Sequence, residues 1–355
     1  MISASAEQLL RDAVDSNASD LYMVSGMAPT LKANGRHKSF GETRLSEEYT
    51  KNFVSELYAI MGRDISRLQE GLDDDFSLFV PDIGRFRVNA YFQNGAYACV
   101  LRTIPVGIPD FNKLNIPNVI IELAKLSRGL VLFTGTTGSG KTTSLACLID
   151  KINSEQNLHI VTIEDPIEFT HPGKKSVISQ RELERDTKTF ASALRASLRQ
   201  APDVILVGEM RDQETIATAI TAAETGHLVF STLHTMGAAA TVDRIIDVFP
   251  SGQQGQIRSQ LAQSLQAVVT QQLLATQDGK VTPAFEIMLV NTAIRNLIRD
   301  NKIFQIDNVI QTSVQSGMRT MDMSIQDLFH RGLITKEQAL VNCFNPKAVF
   351  GTGFA

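Results

Sequence analysis

The sequence predicts two domains: a smaller α+β one, then a larger α/β one built on a sheet with parallel strands. Three observations lead there. Short alternating runs separated by turn signals fill the first third of the chain, with helical patterns between them. Pro105, Gly107, Pro109 and Pro117 then punctuate it, at a density that marks a connection between domains. Beyond them, apolar runs ending near Thr134, Glu164, Val207 and Thr232 alternate with helical stretches, the pattern of parallel strands joined by crossover helices. The expected division is residues 1–105, a linker at 106–112 with the boundary near Phe111, and residues 113–355, the last part helical.

Residues 6–14 read as a short helix. Pro29 to Ala33 reads as a strand running into Asn34-Gly35, a strong tight-turn signal. From Ser46 to Leu68, Tyr49, Phe53, Leu57, Ile60 and Met61 recur on one helical face. Phe86, Val88, Ala90 and Phe92 then alternate with Arg85, Arg87, Asn89 and Tyr91, so the first set is expected to face a core. Asn94-Gly95 turns the chain into a further strand ending near Arg102. In the second domain, residues 189–199 and 214–224 read as helices.

With 355 residues, 43% of them hydrophobic and 20% charged, the chain can bury two cores. A net charge of −4 argues against a protein whose main task is to hold nucleic acid, and no nucleic acid is expected as a partner. Cys99, Cys147 and Cys343 have neither metal-ligand nor redox-motif spacing and are expected as reduced thiols. The first residues lack a basic segment followed by an apolar one, and no stretch approaches the ~20 apolar residues needed to cross a bilayer. The expectation is a cytoplasmic protein that reaches a membrane through a partner.

Gly135-Thr136-Thr137-Gly138-Ser139-Gly140-Lys141-Thr142, followed by Thr143, fits the phosphate-binding pattern G-x-x-x-x-G-K-[ST]. An apolar strand pattern precedes it and a helical one follows, the context the motif needs. Its glycines let backbone N–H groups converge on phosphates, and the helix offers its positive end. Lys141 is expected to bridge the β- and γ-phosphates, and the Thr142 hydroxyl to bind Mg²⁺.

Two further strand ends carry acids. Thr162-Ile163-Glu164-Asp165-Pro166-Ile167-Glu168 ends a strand at a proline, so Glu164 is expected near the nucleotide, where a carboxylate orients or deprotonates water. An apolar strand from Val204 leads into Gly208-Glu209-Met210-Arg211-Asp212, where Glu209 is expected to hold Mg²⁺ partly through water. His227 and His234 bracket another strand. Either they are hydrogen-bonded structural residues, or one of them senses the γ-phosphate.

Together these residues resemble the type II/type IV pilus secretion ATPases. That family combines a phosphate loop, a T-I-E-D-P-I-E box, a strand ending in G-E-M-R-D and a histidine box, and all four occur here in order. Asn17-Ala18-Ser19-Asp20-Leu21, Gly84-Arg85-Phe86-Arg87-Val88-Asn89 and the segment from Asp243 to Pro250 extend the resemblance to nearly the whole chain. It implies a PAS-like first domain, a RecA-like ATPase domain, ATP and Mg²⁺ as cofactors, and a homohexamer. It also implies localisation at the inner membrane through a pilus platform protein (PilC-like). No obvious arginine finger lies close to the phosphate loop, so Arg85, Arg87 and Arg102 are candidates to act from a neighbouring subunit. Ala293-Ile294-Arg295-Asn296-Leu297-Ile298-Arg299 resembles a motif of the retraction branch, with an accessory PilU-like ATPase as the nearest alternative and possible partner. By physics alone that stretch is an amphipathic helix with two exposed arginines. A RecA-like nucleic-acid translocase and an ATP-binding switch without turnover are the rival functions.

Overall fold

The structure, a computed structural model, describes residues 4–33, 36–104 and 107–350. The Asn34-Gly35 turn, Pro105 and Val106 of the expected boundary, and residues 351–355 lie outside the described residues. The chain forms two compact units. One holds the described residues up to Gly107 together with Pro166–Phe169, and the other holds the remainder.

The first unit carries α1 (Ala4–Asp15), β1 (Asp20–Met23), β2 (Thr30–Ala33), β3 (Arg36–Ser39), α2 (Glu47–Met61), α3 (Ser66–Gln69), β4 (Asp74–Val80), β5 (Gly84–Gln93) and β6 (Ala96–Ile104). Its six-stranded sheet has the order β3-β2-β1-β6-β5-β4, antiparallel throughout. Phe86, Val88 and Ala90 of β5 are buried, as their alternation requires. Phe92 does not join them. It is 44% exposed at the hairpin end, edge-on to Tyr97 with ring centroids 4.7 Å apart. The helix expected over residues 46–68 is also two. It starts at Ser46, whose side chain accepts from Tyr49 N–H, and closes at Gly62, whose N–H points back to Tyr58 and Ala59. Beneath it lies Asp74, 1% exposed, gripped by the Arg63 fork at 2.7 and 2.9 Å and by the Tyr58 hydroxyl at 2.9 Å. Burial opposes its charge, but these bonds win and hold the carboxyl below its ordinary value.

The second unit carries α4 (Asn118–Ile121), β7 (Gly129–Thr134), α5 (Lys141–Glu155), β8 (His159–Glu164), β9 (Val177–Glu182), α6 (Phe190–Ser197), β10 (Val204–Val207), α7 (Gln213–Glu224), β11 (Leu228–Thr232), α8 (Ala238–Asp247) and α9 (Ser251–Ser264). A hairpin follows, β12 (Leu265–Ala275) and β13 (Val281–Leu289), then α10 (Thr292–Arg299), α11 (Ile306–Thr312), α12 (Met321–His330), α13 (Lys336–Asn342) and α14 (Pro346–Phe350). The sheet order is β13-β12-β7-β11-β10-β8-β9, parallel except for the antiparallel β12–β13 pair. The fold class is therefore α/β with a parallel-containing sheet, as the alternation of strands and helices predicts.

Strand residues alternate between two buried layers. Leu130, Leu132, Val161, Ile163 and Ile205 pack with the helices from α6 to α11. Val131, Phe133, Ile160, Leu206 and Phe230 pack with α4 and α5. A strand buried on both faces reads as a continuous apolar run, which is why β7, β10 and β11 are legible in the sequence. Residues 343–350, with no match in the sequence pattern, are docked. Asp322 accepts from Phe344 N–H and Asn345 N–H at 2.7 and 3.0 Å, and Val349 is 1% exposed.

Among the described residues no helix is long and apolar enough to cross a membrane. Cys99 and Cys147 are buried free thiols and Cys343 is half-buried; burial pushes the Cys147 thiol up to about 11, so it resists ionisation.

Candidate nucleotide site

β7, β8, β10 and β11 run parallel, so their carboxyl ends share one edge of the sheet, where α/β sheets bind ligands. The loop from Gly135 to Gly140 joins β7 to α5 there. Gly135 (φ +131°) and Gly140 (φ +88°) allow its path. A Cβ at Gly135 would stand 2.3 Å from the Gln271 carbonyl oxygen, and one at Gly140 would stand 2.7 Å from Gln271 Nε2. Lys141, 7% exposed, donates to the Gly135 and Thr136 carbonyls at 2.8 and 2.9 Å, so its ammonium lies within the loop. Ser139 Oγ is buried without a hydrogen-bond partner. A glycine-rich loop at a helix N-terminus, with an internal ammonium and a buried unsatisfied hydroxyl, fits a phosphate chain.

Gln271 supports this loop from β12. It is 3% exposed and accepts from Ser144 Oγ of α5 at 2.9 Å, while its neighbour Thr270 exchanges a 2.7 Å bond with Thr134 at the end of β7. Neither residue lies in a nucleotide-binding motif of the sequence, and no strand is expected there from the four apolar runs alone. The β-branched run Val268-Val269-Thr270 and the Asp278-Gly279 turn were the available signals.

Glu164 is the last residue of β8 and 7% exposed. Its Oε1 accepts from Thr162 Oγ1 at 2.7 Å and from Gln180 Nε2 at 3.3 Å. Its neighbour Ile163 faces the opposite layer, so Glu164 projects to the α5 side of the sheet. Glu209 follows β10. Its carboxylate meets Arg211 Nε at 2.8 Å and stands 3.5 Å from His234 Nε2. These three side chains line a cavity of about 350 Å³ with Thr232, Thr235 and Arg244. Asp212, in the same motif, caps α7 by accepting from Thr215 N–H (2.8 Å) and Thr215 Oγ1 (2.7 Å). Those bonds outweigh burial and hold its carboxyl below the ordinary range.

His227 needs correction as a candidate sensor. It precedes β11 and so lies at the amino end of the strand, on the opposite edge from the phosphate loop. Its Nδ1 stands 3.0 Å from the Ala222 carbonyl oxygen and 3.3 Å from Thr225 Oγ1, closing the turn after α7. The five-residue strand, spanning roughly 16 Å at the usual rise per residue, and then Leu233 separate it from His234. Of the pair, His234 stands at the carboxyl edge. The loop that carries it runs into α8, whose first N–H donates to Glu286 Oε1 at 2.6 Å. Glu286, 6% exposed, also accepts from Met321 N–H at 3.4 Å, and burial pushes its carboxyl upward.

In the first unit, Arg87 and Arg102 are cross-strand partners on β5 and β6. Arg102 Nε donates to Asp20 Oδ1 at 3.1 Å and Arg85 Nε to Ser77 Oγ at 2.8 Å, while Arg87 is exposed. Residues 293–299 lie within α10, with Ile294 and Ile298 fully buried and Leu297 packed at the margin. Arg295 and Arg299 do not form one exposed pair. Arg295 Nη1 donates to the Ala262 and Gln263 carbonyls at 2.6 and 2.9 Å, capping the last turn of α9. Ala293, Asn296 and Arg299 remain exposed.

The profile of the family described as type II/IV secretion system protein matches residues 1–285. The chain belongs to that family. Among its members, the twitching motility protein of Neisseria gonorrhoeae is 49% identical over 339 residues, 95% of this chain and 90% of that protein. The type IV pilus retraction ATPase PilT of Pseudomonas aeruginosa is 46% identical over 333 residues, 94% of this chain and 96% of that one. The crystal structure of the pilus retraction motor PilT with bound ADP superposes with a TM-score of 0.89 at 43% identity, covering 96% of this chain and 97% of that one.

Proposed function

We propose that this secretion-family ATPase is a motor that couples ATP hydrolysis to retraction of a type IV pilus. Its near-full-length likeness to a retraction ATPase and a twitching motility protein carries the reading. Backbone N–H groups of residues 135–142 cradle the phosphates of ATP, and Lys141 neutralises the β–γ region. Thr142 and Glu209 would hold Mg²⁺, which when bound offsets phosphate charge. Glu164 takes the proton as water attacks the γ-phosphorus, while the bond to the β–γ bridging oxygen breaks and ADP departs. His234, beside Glu209, is positioned to respond to the γ-phosphate. Arg87, with Arg85 and Arg102, is supplied by a neighbour in a ring of six.

The product of turnover is movement, carried through the segment at 106–112 and through α10 to a PilC-like platform protein at the inner membrane, with a PilU-like ATPase as a further partner. The protein itself works from the cytoplasm. The test is deletion of the gene, then complementation with the wild type and with Lys141→Ala. Excess surface pili without twitching, reversed by the wild type and not by the variant, is the expected result. Loss of pili on deletion would assign the motor to extension and reject the proposal.

A further inference from the structure

We infer that Gln180 is a positioning residue for ATP hydrolysis: its side-chain amide, locked by the backbone of His171, holds the Glu164 carboxylate in one orientation and favours its charged form. The inference rests on the reading of Glu164 as the proton acceptor.

Register brings the residues together. Gln180 of β9 is the cross-strand partner of Thr162 of β8, and Glu164 lies two residues beyond Thr162 on the same face. Thr162 Oγ1 and Gln180 Nε2 both donate to Glu164 Oε1, at 2.7 and 3.3 Å. Gln180 Oε1 in turn accepts from His171 N–H at 2.8 Å. That last bond decides the chemistry. A side-chain amide can present either its oxygen or its nitrogen, but a backbone N–H can only donate. The oxygen of Gln180 is therefore committed to His171, and its NH₂ is left facing the carboxylate.

A carboxylate that is 7% exposed pays heavily for its charge unless donors surround it. Two donors on one oxygen lower that cost and fix the plane of the carboxyl group. The same strand pair that builds the sheet edge thus prepares the base. Nothing in a motif scan finds Gln180, because it reaches Glu164 from a separate strand.

The experiment measures ATP turnover of the purified full-length protein against pH for the wild type, Gln180→Glu, Gln180→Met and Glu164→Gln. Gln180→Glu keeps an acceptor for His171 N–H but sets a second carboxylate against the first, so the pair shares a proton near neutrality. Its kcat is expected to fall by about ten-fold at pH 7, with KM for ATP within about two-fold of the wild type. The acid limb of kcat should move up by at least about one pH unit, so that the defect shrinks as pH rises. Gln180→Met fills similar volume without the amide and should move the limb in the same direction by less. A packing defect would lower kcat equally at every pH. An acid limb unmoved in both Gln180 variants, beside an inactive Glu164→Gln, would overturn the assignment of Gln180 alone. Full turnover by Glu164→Gln would remove the proton acceptor itself, and the assignment with it.

Discussion

His171 shows how a single side chain in this region sets a pH limit. It is 6% exposed, its Nδ1 is buried without a hydrogen-bond partner, and burial lowers its pKa from 6.5 to about 4. Between those values the unfolded chain binds a proton that the folded one refuses, so stability falls as pH drops through that window. His171→Gln cannot ionise, and its melting temperature should depend less steeply on pH between 6.5 and about 4; an unchanged slope would place the acid sensitivity elsewhere. At this scale the sequence yields residues whose motifs are local. Lys141, Glu164, Glu209 and His234 stand out because each opens a helix, ends a strand or lies within two residues of a strand's end, inside a short signature. Gln180, Gln271 and Glu286 are not, since each acts across strands distant in sequence. His227 and His234 read alike in the sequence because spacing reports a strand between them but not which of its ends shares the edge of the phosphate loop.

At the scale of elements, α10 separates two arginines that the sequence presents as a pair. Arg295 is a cap for α9, and removing it strands two carbonyls at a partly buried helix end. Arg295→Ala should cost about 1–3 kcal/mol of stability, measurable by thermal or denaturant unfolding. Arg299 is exposed, and Arg299→Ala should lie within about 0.5 kcal/mol of the wild type. A transmission defect in α10 is therefore read from Arg299, Asn296 or Ala293, where lost function is not lost folding. Equal destabilisation by the two substitutions would refute this division. Helix periodicity could not reveal it, because an arginine reaching a neighbouring helix and one reaching solvent occupy similar positions on a polar face. The β12–β13 hairpin is not marked in the sequence by a turn ahead of it: β12 follows α9 without a break.

At the scale of the whole molecule, two sheets of different character divide the chain, one antiparallel and one mainly parallel. The alternation of apolar strands with helices made the second legible, and hairpin turns made the first. The order of strands was not legible, because it depends on pairings between residues far apart. The position of β7 has a consequence in time. It ends at Thr134, yet its two neighbours begin at Leu228 and Leu265, so a growing chain exposes the strand leading into the phosphate loop long before either arrives. At ordinary synthesis rates that interval is on the order of ten seconds. Ribosome-bound chains stalled before β11 emerges should be cut by trypsin at Lys141, and released full-length chains should resist; early resistance would mean that β7 needs neither neighbour. A cell making this protein must shelter an apolar strand through that wait, which leaves the nascent chain more vulnerable to chaperone loss than the finished one.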